Sequence, residues 1–110
     1  MAKATFDARS VGTTNLLAVA PIVGGSVVSK PLLQTDACKL VLFAMDAGQS
    51  ISEHHTPYVA TVHVLCGKLD FAVAGRRHVL AAHDWLLIPF DARHDLKALE
   101  PTHFLLTLLK

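Results

Sequence analysis

From Ser26 onward, apolar and polar residues alternate with a period of two in short runs divided by turn residues. "YVATVHVLC" (58–66) alternates cleanly, and "LDFAVAG" (69–75) sets Leu69, Phe71 and Val73 on one face. "CKLVLFAM" (38–45) is apolar on both faces, as a strand covered on two sides would be. "QSISEHH" (49–55), "RRHVLAA" (76–82), "WLLIP" (85–89), "HDLKALE" (94–100) and "HFLLTLLK" (103–110) supply further strands. "VVSKPLLQT" (27–35) is broken by Pro31, which lacks a ladder donor and belongs at an edge or a bulge. Turns are expected at "DAG" (46–48), at Gly67-Lys68 as a two-residue hairpin, at His83-Asp84 and at "FDAR" (90–93). No stretch longer than ten residues holds a 3.6-residue period. Short strands at this spacing predict an all-β barrel or sandwich. Residues 1–25 are weakly patterned and read as an arm or single strand ending at Gly24-Gly25, which leaves 26–110 as the barrel domain.

Composition sharpens this picture. Of 110 residues, 52% are hydrophobic and 17% charged, against about a quarter charged in an ordinary domain. So small a chain must bury most strands on both faces or present an apolar surface to a partner, and a homodimer is the simplest closed solution. Ten basic and nine acidic residues give a net charge of +1, and Arg76-Arg77 is the only basic run. That argues against nucleic acid as a partner, because phosphate binding needs clustered cations. No apolar run reaches the roughly 18–20 residues that span a bilayer, and "MAKATFDARS" lacks the pattern of a signal peptide, so no membrane partner and a cytoplasmic location are expected. Cys38 and Cys66 form no C-x-x-C pair and read as buried small apolar side chains in a reducing compartment.

Two segments carry chemistry. Gly48 is followed after five residues by His54, then by Thr56, Ala60 and Gly67; further on come His83, Pro89, Asp91, His94 and Ala98. This arrangement resembles the two motifs of the cupin superfamily, in its small single-domain type-2 (RmlC-like) form. The first motif is Gly, five residues, His, one, His, three or four, Glu, six, Gly. The second is Gly, five, Pro, one, Gly, two, His, three, Asn. Gly48, His54, Gly67, Pro89 and His94 are in register; Thr56, Ala60 and Ala98 stand where the family carries His, Glu and Asn. "HDWLLIPFDARH" (83–94) is the most specific match. His83 and Asp91 replace glycines, and both residue types tolerate left-handed backbone better than most. The resemblance covers roughly residues 36–110 and implies a small antiparallel jelly-roll barrel, commonly dimeric.

The resemblance also implies one divalent metal (Ni, Zn, Fe or Mn) held inside the barrel, of whose four ligand positions this chain keeps His54 and His94. Catalytic zinc takes three protein ligands and non-haem iron two His and a carboxylate, so two imidazoles make an incomplete site. If His54 points inward, alternation brings Ser52 and Thr56 with it and sends Glu53 and His55 out; a bulge or turn before Pro57 would bring His55 in. Alternation sends His63 out of the barrel. His78, His83 and His103 lie near turns or strand starts, where solvent or backbone satisfies them. Pairing of Cys66 with a histidine as a nucleophile is conceivable, but only Lys68 stands near it in the sequence. The expected pocket is lined by Thr56, Ala60, Val62, Phe71 and Ala98, with His54 and His94 at its polar end.

Two functions fit. In one, the barrel binds a small organic ligand and the metal site is partial or without metal. In the other, a metal-dependent enzyme of the dioxygenase, isomerase or decarboxylase type uses His54, His94 and, if turned inward, His55.

Overall fold

A computed structural model describes residues 3–110. Among these residues nine strands run in order: β1 (Val27–Gln34), β2 (Cys38–Met45), β3 (Ser50–His54), β4 (Val59–Cys66), β5 (Lys68–Val73), β6 (Arg76–Ala81), β7 (Trp85–Ile88), β8 (His94–Ala98) and β9 (Thr102–Leu109). They form two antiparallel sheets, ordered β1-β2-β9-β4-β7 and β3-β8-β5-β6. The fold is all-β, as the alternation predicts.

The main core lies between the sheets. Val62, Val64, Phe104 and Ile88 from the first sheet meet Leu69, Phe71, Leu96 and Ala98 from the second. Phe43 and Phe104, partners across the β2–β9 ladder, stack with ring centroids 4.8 Å apart. β2 is apolar on both faces because both are covered. Phe43 and Met45 face the barrel, while Leu42 and Ala44 face outward beneath Ala20, Leu16 and Val19.

Residues 3–26 contain no strand. Asn15 shapes a turn in which its side-chain oxygen accepts from the Leu17 and Ala18 amides. The arm is tied to the edge of β1 where the Thr5 and Phe6 amides donate to the Pro31 and Leu32 carbonyls. β1 is an edge strand with a register shift between Pro31 and Leu33, the two settings that tolerate a proline.

One turn differs from expectation. Gly67 does not close a two-residue hairpin with Lys68. β4 and β5 lie in different sheets, and Gly67 alone carries the chain around the corner between them. Its φ of +90° and the crowding of any added Cβ against the Pro101 carbonyl and the Thr102 hydroxyl explain why glycine stands there. A two-residue hairpin does occur, at Ala74-Gly75 between β5 and β6, where both residues have positive φ.

Candidate functional site

Strand β3 breaks its own alternation. It pairs with β8 as Ser50↔Lys97 and Ile51↔Leu96, then shifts register so that His54 becomes the partner of His94. The irregularity absorbs one residue and puts His54 on the same face as Ile51. Parity without a bulge would have grouped His54 with Ser52. Instead, Ser52 contributes its carbonyl, which accepts from His54 Nδ1 at 2.8 Å.

His94 begins β8 after the turn Pro89–Arg93. That turn is fixed where the Asp91 amide donates to the Thr56 carbonyl and the Ala92 amide to the Pro89 carbonyl. Asp91 has φ of +58° and His83 +75°, so both motif substitutions take the left-handed geometry expected of them. His94 Nδ1 donates to the Ala92 carbonyl at 3.0 Å. Each imidazole thus folds back onto the carbonyl two residues before it. A carbonyl only accepts, so each Nδ1 carries the hydrogen and each neutral ring keeps its lone pair on Nε2.

The two rings pack edge to face with centroids 4.1 Å apart, and Phe71 lies nearly parallel to His94 at 5.9 Å. Together with Phe43, Ile51, Leu96, Phe104 and Leu106 they line a cavity of about 30 Å³. That is the space of one water molecule. His94 is only 5% exposed, whereas His54 is open to solvent. Burial holds the His94 imidazole below the usual histidine range. The Ala92 hydrogen bond and Asp95 oppose that shift, and His54 and His55 reinforce it.

The expected site is therefore redrawn. His54 and His94 converge. His55 is exposed and does not line the cavity, because the register shift falls before His54 rather than after it. Of the expected lining residues Phe71 is present. Ala60, Val62 and Ala98 lie in the closed core, and Thr56 sits beyond the end of β3 with its carbonyl holding the Asp91 turn. Phe43, Ile51, Leu96, Phe104 and Leu106 take their places. Ile51 could be found from sequence only by locating the bulge; the others required the pairing of β2, β8 and β9. His63 lies opposite Trp85 and Leu105, on the face away from the barrel. His103 is buried, with Nε2 donating to the Ala20 carbonyl at 2.7 Å.

Among the described residues, no three His, Cys, Asp or Glu side chains converge as metal ligands would. Two imidazoles, with Ala60 buried in the apolar core, do not fit a metal held by protein alone. Among the described residues, no helix is long and apolar enough to cross a membrane.

The profile of the cupin domain family matches residues 41–108. Among curated proteins, none matches the sequence. Solved structures do. A conserved protein of unknown function from Streptococcus pyogenes superposes with a TM-score of 0.87 at 23% identity, covering 100% of this chain and 95% of its own. A cupin superfamily protein from Desulfitobacterium hafniense gives 0.82 at 22%, covering 91% and 93%. An RmlC-like cupin from Desulfovibrio desulfuricans gives 0.81 at 20%, covering 91% and 97%. With both motif turns in place and the matched segment running from β2 into β9, the chain belongs to the cupin domain family.

Proposed function

We propose that the protein is a binding cupin that grips one polar group of a small organic ligand between His54 and His94. The observation that carries this reading is the pair of anchored imidazoles facing one water-sized cavity in an otherwise apolar wall. With both Nδ1 atoms committed to backbone, the remaining ring nitrogens are acceptors, so the inserted group is a donor such as a hydroxyl. A ligand pocket usually measures about 300–1,000 Å³. The rest of the ligand therefore stays outside the cavity, on the exposed His54 side.

The test is a thermal-shift panel of small hydroxylated compounds on protein purified without a His-tag. Ligands that stabilise the wild type and lose their effect in both His54→Ala and His94→Ala support the proposal. Stabilisation that survives both substitutions overturns it, because a ligand binding elsewhere gains nothing from these rings.

A second reading, the metal-dependent enzyme of dioxygenase, isomerase or decarboxylase type, draws support from one feature. Metal-ligating histidines are commonly oriented by a backbone carbonyl on their other nitrogen, as both are here. The two-donor set counts against it.

We also infer a homodimer built on the five-stranded sheet. β7 is an edge strand, and Trp85 and Leu87 are 60% and 47% exposed beside it. Large apolar side chains on an uncovered strand edge suit a second copy of the same surface. The small charged fraction of the chain points the same way.

A further inference from the structure

Strand β4 carries a register shift of its own, between Val64 and Cys66, that has nothing to do with the barrel interior. Up to Val64 its alternate side chains enter the core. The shift turns Cys66 away and makes it the partner of His103 on β9. His103 faces outward, next along β9 from inward-facing Phe104 and beside Ala44 of β2, in the layer covered by the arm. Cys66 Sγ lies 3.3 Å from His103 Nδ1.

The other ring nitrogen settles the direction of this contact. His103 Nε2 is 2.7 Å from the Ala20 carbonyl and must donate to it. Nδ1 of the neutral ring is then a lone pair, and the Cys66 thiol is its donor. His103 is 6% exposed, so its basic nitrogen faces the sulfur rather than solvent. The constellation is a thiol, a base that can take its proton, and a third group orienting the base. This is the arrangement that activates cysteine nucleophiles.

We propose that Cys66 and His103 form a nucleophilic dyad that reacts with hydroperoxides, giving a sulfenic acid at Cys66. The thiol proton passes to His103 Nδ1. The sulfur attacks the terminal peroxide oxygen, so an S–O bond forms as the O–O bond breaks. The departing oxygen takes the proton from Nδ1 and leaves as water or an alcohol. The sulfur is oxidised, the peroxide is reduced, and the ring returns to neutral. No disulfide follows within the chain. Cys38 pairs with Leu109, six residues along β9 from His103, or about 20 Å at the usual strand rise. The sulfenic acid therefore persists until an outside thiol reduces it.

Cys38 is an internal control. It is half-buried like Cys66, but its sulfur meets the Thr35 hydroxyl instead of a base. Folded protein is exposed to hydrogen peroxide with dimedone, and label at each cysteine is followed by mass spectrometry. Cys66 is expected to label about tenfold faster than Cys38, with the difference vanishing in urea. In His103→Asn, Cys66 is expected to fall to the Cys38 rate while Cys38 keeps its own. Equal rates at the two cysteines in the folded wild type overturn the proposal, as does an unchanged Cys66 rate in a folded His103→Asn. If that variant does not fold, the folded-to-urea ratio at each wild-type cysteine decides.

Discussion

His54 and His94 face each other as direct partners across the β3–β8 ladder, each pinned by the carbonyl two residues before it. The pair is preorganised: neither ring can turn without giving up a backbone hydrogen bond worth roughly 1 kcal/mol.

The acid sensitivity of the fold follows from His94. Burial lowers its folded pKa below the unfolded value of about 6.5, so the unfolded chain binds the proton more readily. The contribution of His94 to stability is intact above that value and is lost as pH falls through the folded pKa. Thermal melts should show Tm falling as pH drops below about 6.5. In His94→Gln that part of the slope should disappear.

Metal binding should be weak and should follow the two-histidine geometry. Protein purified without a His-tag should carry metal well below one equivalent. Added Zn or Ni should raise Tm only at high concentration, with His54→Ala abolishing the shift and His55→Ala preserving it. A site filled to 100 times its Kd would contribute about 2.7 kcal/mol, so the titration reads affinity directly.

Two glycines of similar φ should respond differently to alanine. Gly67 (φ +90°) would drive a Cβ into the Pro101 carbonyl, whereas Gly48 (φ +82°) has open space around it. Gly48→Ala should cost about 1–2 kcal/mol of backbone strain. Gly67→Ala should cost distinctly more in urea unfolding, because backbone must also shift.

Loss of the aromatic stack should cost more than either. Phe104 is 2% exposed and packs against Phe43. Phe104→Ala should cost about 3–5 kcal/mol, a large share of a small domain's stability, and Tm should fall accordingly.

For the proposed dimer, Trp85→Glu should shift the mass measured by light scattering from two chains to one without lowering helix-free β content by circular dichroism. A wild-type monomer at all concentrations would remove that interface.

Much of this was legible from residue order alone. The strand runs and the edge or bulge position of Pro31 follow from local chemistry that each residue carries with it, and the left-handed turns at His83 and Asp91 from the glycine positions they fill in the motif they resemble. The convergence of His54 and His94 was legible too, through the motif spacing that the resemblance supplies. What was hidden lies in two single-residue irregularities. A bulge has no sequence signature as firm as a proline, yet it reassigns the face of the residues around it. Hence Ile51 replaced Thr56 beside His54, and Cys66 met His103 outside the barrel. The Gly67 corner is hidden for a related reason: a hairpin and a crossing between sheets can both be written with one glycine.

β9 follows every other strand in the chain but sits third of five in its sheet, between β2 and β4. Until it arrives, β2 and β4 each lack a pairing partner on their inner edges, and Phe43 lacks its stacking neighbour. Folding must therefore wait for a late insertion between two strands laid down well before it. Such distant pairings are slow to form and leave sticky edges exposed meanwhile. Yield from refolding should thus depend steeply on protein concentration, a kinetic cost written into the order of the strands.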